Sequence, residues 1–134
     1  MDRKELMQAF NNPARMGTLA TSDGAGKVNN AVFSALYMAD EETVLMAIGN
    51  NRSFANLQKN PHAAFLFFQP AESPYDWQGA RVYLKAMATA FDGPVFEQMV
   101  GMVRQIAGDQ AADNVHAVVT FAIEDARALI DPAV

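Results

Sequence analysis

From Val44 the chain reads VLMAI-GNN-RSFANLQK-NP-HAAFLFF, and few folds can accommodate that order. Two strongly apolar strands are separated by a helix of only about two turns. The first strand, 43–48, is almost wholly apolar, so it needs cover on both faces. A Gly-Asn-Asn turn opens the helix and Asn60-Pro61 closes it, as expected where proline bars continuation. The first helical residues are Arg52 and Ser53. A helix start carries unpaired backbone N–H groups and a partial positive charge, and so can hold an anion. Arg52 adds a rigid fork of donors and Ser53 a hydroxyl. This combination at the end of a strand points to a phosphate pocket and hence to a phosphorylated cofactor.

The rest of the chain is mostly strand. Asp2 and Glu5 have capping-box spacing ahead of an apolar stripe at Leu6, Met7 and Phe10, and Asn12-Pro13 ends that helix. Residues 16–21 read as a strand, Ser22-Asp23-Gly24-Ala25-Gly26 as a hairpin turn, and 28–37 as a second strand. Residues 39–42 form a polar turn before the strand at 43–48. After the helix at 52–59 come a strand at 63–68, a Pro-rich loop at 69–79 that carries Trp77, and an alternating strand at 80–91. Asp92-Gly93-Pro94 starts a helix with apolar residues at 96, 99, 100, 103 and 106, and Gly108 stops it. A last strand spans 115–123, and 124–134 is read as a tail. Six strands joined largely by hairpin-length turns, with peripheral helices, indicate a mainly β fold: a six-stranded antiparallel barrel within one domain, residues 1–134.

Composition narrows the chemistry. With no cysteine among 134 residues, disulfides, iron–sulfur clusters and thiol catalysis are excluded. Two separated histidines, His62 and His116, make no metal motif. A net charge of −5 without a basic cluster argues against nucleic-acid binding, which rests on neutralising phosphates. No apolar run reaches the roughly 20 residues of a membrane helix, and MDRKELMQAF lacks the core of a secretory signal. The expected location is the cytoplasm, with no membrane partner.

The Arg-Ser pair opening a helix that ends Lys-Asn-Pro, the Ala-Ala-Phe-Leu-Phe-Phe strand after it and the later Arg-Val-Tyr-Leu-Lys strand together resemble the FMN-binding split-barrel family, the superfamily of pyridoxamine-phosphate oxidase. The likeness is greatest to its small stand-alone FMN-binding proteins and covers about residues 5–125. It implies a six-stranded split barrel that forms a homodimer, with FMN in clefts between the subunits. It implies phosphate contacts from Arg52 and Ser53, and passage of the preceding strand along the flavin at Ala47 and Ile48. It also implies ring-edge and ribityl contacts from Asn30, Ala31, Val32 and Phe33, and approach of Arg81 from the same cleft. Two departures stand out. Ser53 occupies a position where lysine is common, which weakens the phosphate grip. The ending EDARALIDPAV, with Arg127 as its late basic residue, lacks the basic and aromatic segment that holds the vitamin substrate in true oxidases.

Bland roles compete with several of these assignments. Asn50 and Asn51 suit a turn and a helix cap, and Asn51 can cap while touching a ligand. Asn29 and Asn30 sit where a strand disfavours asparagine; a frayed strand end and an amide pairing with the flavin edge explain them equally. Trp77 suits a loop anchor better than a cover for the flavin. His62 and His116 read as structural. No catalytic side chain is assigned. The expected function is that of an FMN-dependent oxidoreductase, supplied with electrons by a nicotinamide or a redox protein. The alternatives are a deazaflavin-dependent reductase, a non-catalytic flavin store or sensor and, more weakly, a haem-handling barrel.

Overall fold

The computed structural model describes residues 2–131. Seven antiparallel strands form one sheet in the order β2-β1-β5-β6-β7-β4-β3. They are β1 (Met16–Ser22), β2 (Val28–Val32), β3 (Leu36–Asp40), β4 (Thr43–Ile48), β5 (His62–Gln69), β6 (Gln78–Ala90) and β7 (Ala117–Ala128). The helices are α1 (Arg3–Phe10), α2 (Arg52–Lys59), α3 (Gly93–Ala107) and α4 (Asp109–Asp113), with a short 3-10 turn at Pro74–Asp76.

The seventh strand arises because the run expected at 28–37 bends. Its first half pairs with β1 and its second half with β4, at opposite ends of the sheet order. The bend is short: the Phe33 N–H still donates to the Gly17 carbonyl at 3.1 Å, and the Ala35 carbonyl already accepts from the Ala47 N–H at 3.0 Å. One continuous segment therefore borders both edges, and this is what makes the sheet a split barrel.

Local chemistry explains most boundaries. Asp2 caps α1, its carboxylate accepting from the Lys4 N–H at 2.9 Å. Leu6 and Phe10 of that helix are fully buried, each contributing about 1.5–3 kcal/mol. At the first hairpin the Asp23 carboxylate accepts from the N–H groups of Ala25 and Lys27, while Gly24 and Gly26 take the positive φ that the turn needs. Gly108, at φ 92°, ends α3. β4 is covered on both faces as its composition requires. Val44, Met46 and Ile48 join the barrel core with Phe10, Phe65 and Phe121. Leu45 and Ala47 lie under Met99 and Val103 of α3.

Some expectations shift. Ala39 and Asp40, read as turn, complete β3. Residues 124–128, read as tail, extend β7, which pairs with β6 as far as Ala80↔Ala128. Residues 132–134 of that tail lie outside the described residues. The five-residue α4 has no counterpart in the expectation. β6 begins at Gln78, and its in–out alternation breaks at a register shift between Ala86 and Ala88. Among the described residues, no helix is long and apolar enough to cross a membrane.

Candidate functional site

The turn after β4 delivers a set of unsatisfied donors. Asn51 caps α2: its side-chain oxygen accepts from the Phe54 N–H at 2.9 Å, and its carbonyl accepts from the Ala55 N–H at 3.0 Å. Those bonds leave the backbone N–H groups of Arg52 and Ser53 with no acceptor among the described residues. The Arg52 side chain is exposed, and among the described residues it takes part in no hydrogen bond or ion pair. A cation in the first turn opposes the helix macrodipole. Among the described residues nothing compensates that unfavourable placement, as expected if an external anion is the partner.

Ser53 is nearly fully buried, and its hydroxyl accepts from the Asn29 side-chain amide at 3.1 Å. Asn29 thus belongs to the barrel side of this site, tying β2 to the start of α2; it is not a frayed strand end. One turn further, the buried amide of Asn56 donates to the Thr21 hydroxyl at 3.0 Å. These two bonds fix α2 on β1 and β2 through polar contacts that cost 1–3 kcal/mol or so to leave half-made. The sequence signal for Asn56 is an amide on the helix face that also presents Leu57.

The other expected residues divide by face. Asn30 and Val32 point outward from β2 and are exposed, Val32 to 79%. Ala31 and Phe33 alternate to the opposite side, where Phe33 packs on the barrel core; only their backbones remain available to a ligand on the outer face. Ile48 is buried in the barrel and Ala47 beneath α3, so β4 likewise offers backbone and not side chain. Arg81 is held elsewhere. Its Nε donates to the Ala128 carbonyl at 2.9 Å, and its terminal nitrogen pairs with Asp131. In register it lies in the row Arg81↔Leu66↔Thr18↔Val32, three strands or roughly 14 Å from Val32. A single copy therefore brings together Asn29, Asn51, Arg52 and Ser53 beside β2, and does not bring Arg81 to them.

An aromatic cluster adjoins α2. The His116 ring meets Phe54 of α2 edge-to-face at 5.0 Å and Phe91 at 5.5 Å. His62 pairs with Glu124 at 3.1 Å on the surface. Trp77 stacks on Phe68 at 5.2 Å and donates to the Ala71 carbonyl, which makes it a loop anchor within its own chain. Among the described residues, no group of three or more His, Asp or Glu side chains converges on a common point as a metal site would require.

The outer face of β1 and β2 exposes Met16, Val28 and Val32, which share one side of the sheet through the pairs Thr18↔Val32 and Ser22↔Val28. Neither of two concavities elsewhere on the molecule is lined by Asn51, Arg52 or Ser53.

Comparison with known proteins agrees with this architecture. The pyridoxamine 5'-phosphate oxidase family model matches residues 4–130. An FMN-binding protein from Syntrophomonas wolfei superposes with a TM-score of 0.82 at 22% identity, covering 98% of this chain and 90% of that one. HutZ, a haem storage protein from Vibrio cholerae, superposes at 0.66 with 16% identity, covering 90% and 87%. An F420 reductase gives 0.66 and 16% over 92% and 94%. At these identities the structural likeness establishes the fold alone. No curated protein matches the chain.

Proposed function

This chain belongs to the pyridoxamine 5'-phosphate oxidase family, and from that footing we propose that it is a redox flavoprotein binding FMN in a cleft completed by a second copy of itself. One observation carries the reading. The start of α2 offers two unpaired backbone N–H groups and an unpaired guanidinium among the described residues, a donor set suited to a terminal phosphate.

Arg52 and the N–H groups of residues 52 and 53 hold the phosphate. Ser53, fixed by Asn29, sets the position of that helix start and accepts the Asn29 N–H in doing so. The backbone of 30–33 and the outward Asn30 amide flank the ring edge, where an amide can both donate and accept. FMN supplies one- and two-electron transfer when bound, and the chain contributes placement, donors and exclusion of water. The exposed Met16, Val28 and Val32 form the surface that a second barrel covers, and a two-fold interface of that kind is self-complementary. Arg81, lying on the same outer face, then approaches the flavin of the partner's site and not that of its own.

The phosphate anchor serves a deazaflavin cofactor equally well, and a protein that only stores flavin would keep the same donors. The absorption spectrum of the purified protein decides between the cofactors. Bands at about 370 and 450 nm are expected for FMN, against a single band at about 400–420 nm for deazaflavin or haem. Bleaching by NADH without oxygen identifies a reductase, and resistance to it a store. A protein that takes up no FMN when titrated, or a flavin-loaded monomer by light scattering, overturns the proposal.

A further inference from the structure

Away from the α2 start, on the segment between α1 and β1, the guanidinium of Arg15 is held without a counter-ion among the described residues. It lies over the rings of Phe10 and Phe65, 5.3 and 5.2 Å from their centroids. Its Nε donates to the Phe10 carbonyl at 2.7 Å and one terminal nitrogen to the Leu36 carbonyl at 2.6 Å. A guanidinium has five N–H donors. Three are left without an acceptor among the described residues, and no carboxylate of those residues lies at ion-pair distance. Burial lowers its pKa, yet an arginine keeps its proton in any protein. The result is a partly desolvated positive charge in a chain of net charge −5.

Two concavities meet at this side chain. One, of about 160 Å³, opens between the end of α1, the β2–β3 bend and α3, with Leu36, Met99, Met102 and Ile106 in its walls. The other, of about 170 Å³, is bordered by Gln69 and Gln78. Asn12 and Arg15 line both. An apolar cavity of roughly 150 Å³ is known to hold a benzene-sized molecule.

We propose that this cleft binds a small amphipathic monocarboxylate, its ring-sized apolar body against α3 and its carboxylate on the free donors of Arg15. Charge complementarity selects an anion. The apolar walls favour a monoanion over a phosphate dianion, because each charge taken from water must be repaid by its contacts. The planar fork of arginine matches a carboxylate. A purely structural Arg15, joining α1 to β3, needs only the two bonds it already makes and is indifferent to added anions.

The test uses benzoate as probe and benzamide as its neutral counterpart, followed by amide NMR of the full chain with and without FMN. Benzoate should shift residues 34–37 and 99–107, bind about tenfold tighter than benzamide, and be unaffected by FMN. Arg15→Gln should bring benzoate down to the benzamide level. Because that change also removes bonds to Phe10 and Leu36, a second pair keeps the test independent of folding. Ile106 stands at the rim, 77% exposed; benzoate should bind Ile106→Lys more tightly than Ile106→Asp, with benzamide binding the two alike. Equal binding of the two probes, shifts confined to other residues, or displacement of benzoate by FMN overturns the proposal.

Discussion

Arg52→Ala isolates the anchor on which the flavin reading rests. The side chain is exposed and, among the described residues, unpartnered, so its removal should leave folding stability within about 0.5 kcal/mol. A charge-assisted hydrogen bond to phosphate contributes about 1.5–3 kcal/mol, so FMN affinity should fall roughly 10- to 150-fold. Binding should not vanish, because the N–H groups of residues 52 and 53 and the helix dipole remain. Riboflavin supplies the control, since it has the ring without the phosphate. Flavin fluorescence titrations of FMN and riboflavin against wild type and Arg52→Ala form a thermodynamic cycle. The coupling between residue 52 and the phosphate should equal nearly the whole loss, and riboflavin affinity should be unchanged. Raising the ionic strength should shrink the FMN difference, because the guanidinium is exposed to screening. If both ligands weaken equally, Arg52 touches the ring or the fold and not the phosphate; an FMN affinity that does not move removes it from the site.

Two other predictions concern the frame. Gly79→Ala should unfold the protein or lower its melting temperature severely, since a Cβ there would lie 2.1 Å from the Phe67 carbonyl oxygen and 2.8 Å from the Phe68 Cα at a φ of +158°; those are backbone atoms of the paired strand and cannot step aside, so a normal thermal melt of the variant contradicts the β5–β6 register. The Asp40 carboxylate accepts from the Glu42 N–H at 2.8 Å, and its backbone and Thr43 hydrogen bonds hold its pKa below the ordinary aspartate range. A depressed folded-state pKa stabilises above the unfolded value and is lost as pH falls through the folded one, so Asp40→Asn should flatten the fall in urea midpoint below about pH 4, and an unchanged pH profile would show that the turn bonds do not favour the ionised form.

Much of this architecture was legible because short-range chemistry fixed it. The strand at 43–48 and the helix at 52–59 appear with the boundaries read from sequence, since an apolar run, an Asn cap and an Asn-Pro stop leave little choice. The bend at 33–35 was not legible. Phe33-Ser34-Ala35 contains neither Gly nor Pro, and the direction changes there because the chain must leave β1 for β4, a constraint belonging to the whole sheet. The extension of β7 through Asp125-Ala126-Arg127-Ala128 was hidden for a similar reason: its charges look like a solvated tail, yet pairing with 80–83 of β6 holds them in a ladder. Arg81 was placed near the flavin by the family resemblance, from its position early in that strand. Its engagement with Asp131, 50 residues away, follows from where β7 ends, and no local pattern announces it. Asn29 was weighed evenly between a frayed end and an amide at the flavin edge; its pairing with Thr21 and its bond to Ser53, on a different element, make it an ordered strand residue.

The anchor and the closure of the barrel share a single piece of chain. β2 carries Asn29, which bonds Ser53 and so positions the donors at the start of α2. Five residues after Asn29, the same run turns and bonds β4, the strand that leads into that helix. The α2 start is therefore referenced to the barrel twice, through β4 along the backbone and through β2 across space. A loose loop that ordered itself around a phosphate would give up part of its binding energy to lost entropy. Here the ordering is already met by core burial of Ile48, Phe54 and Leu57. An exposed cation opposing its own helix dipole, set in a frame this constrained, makes structural sense when its partner arrives from outside the chain.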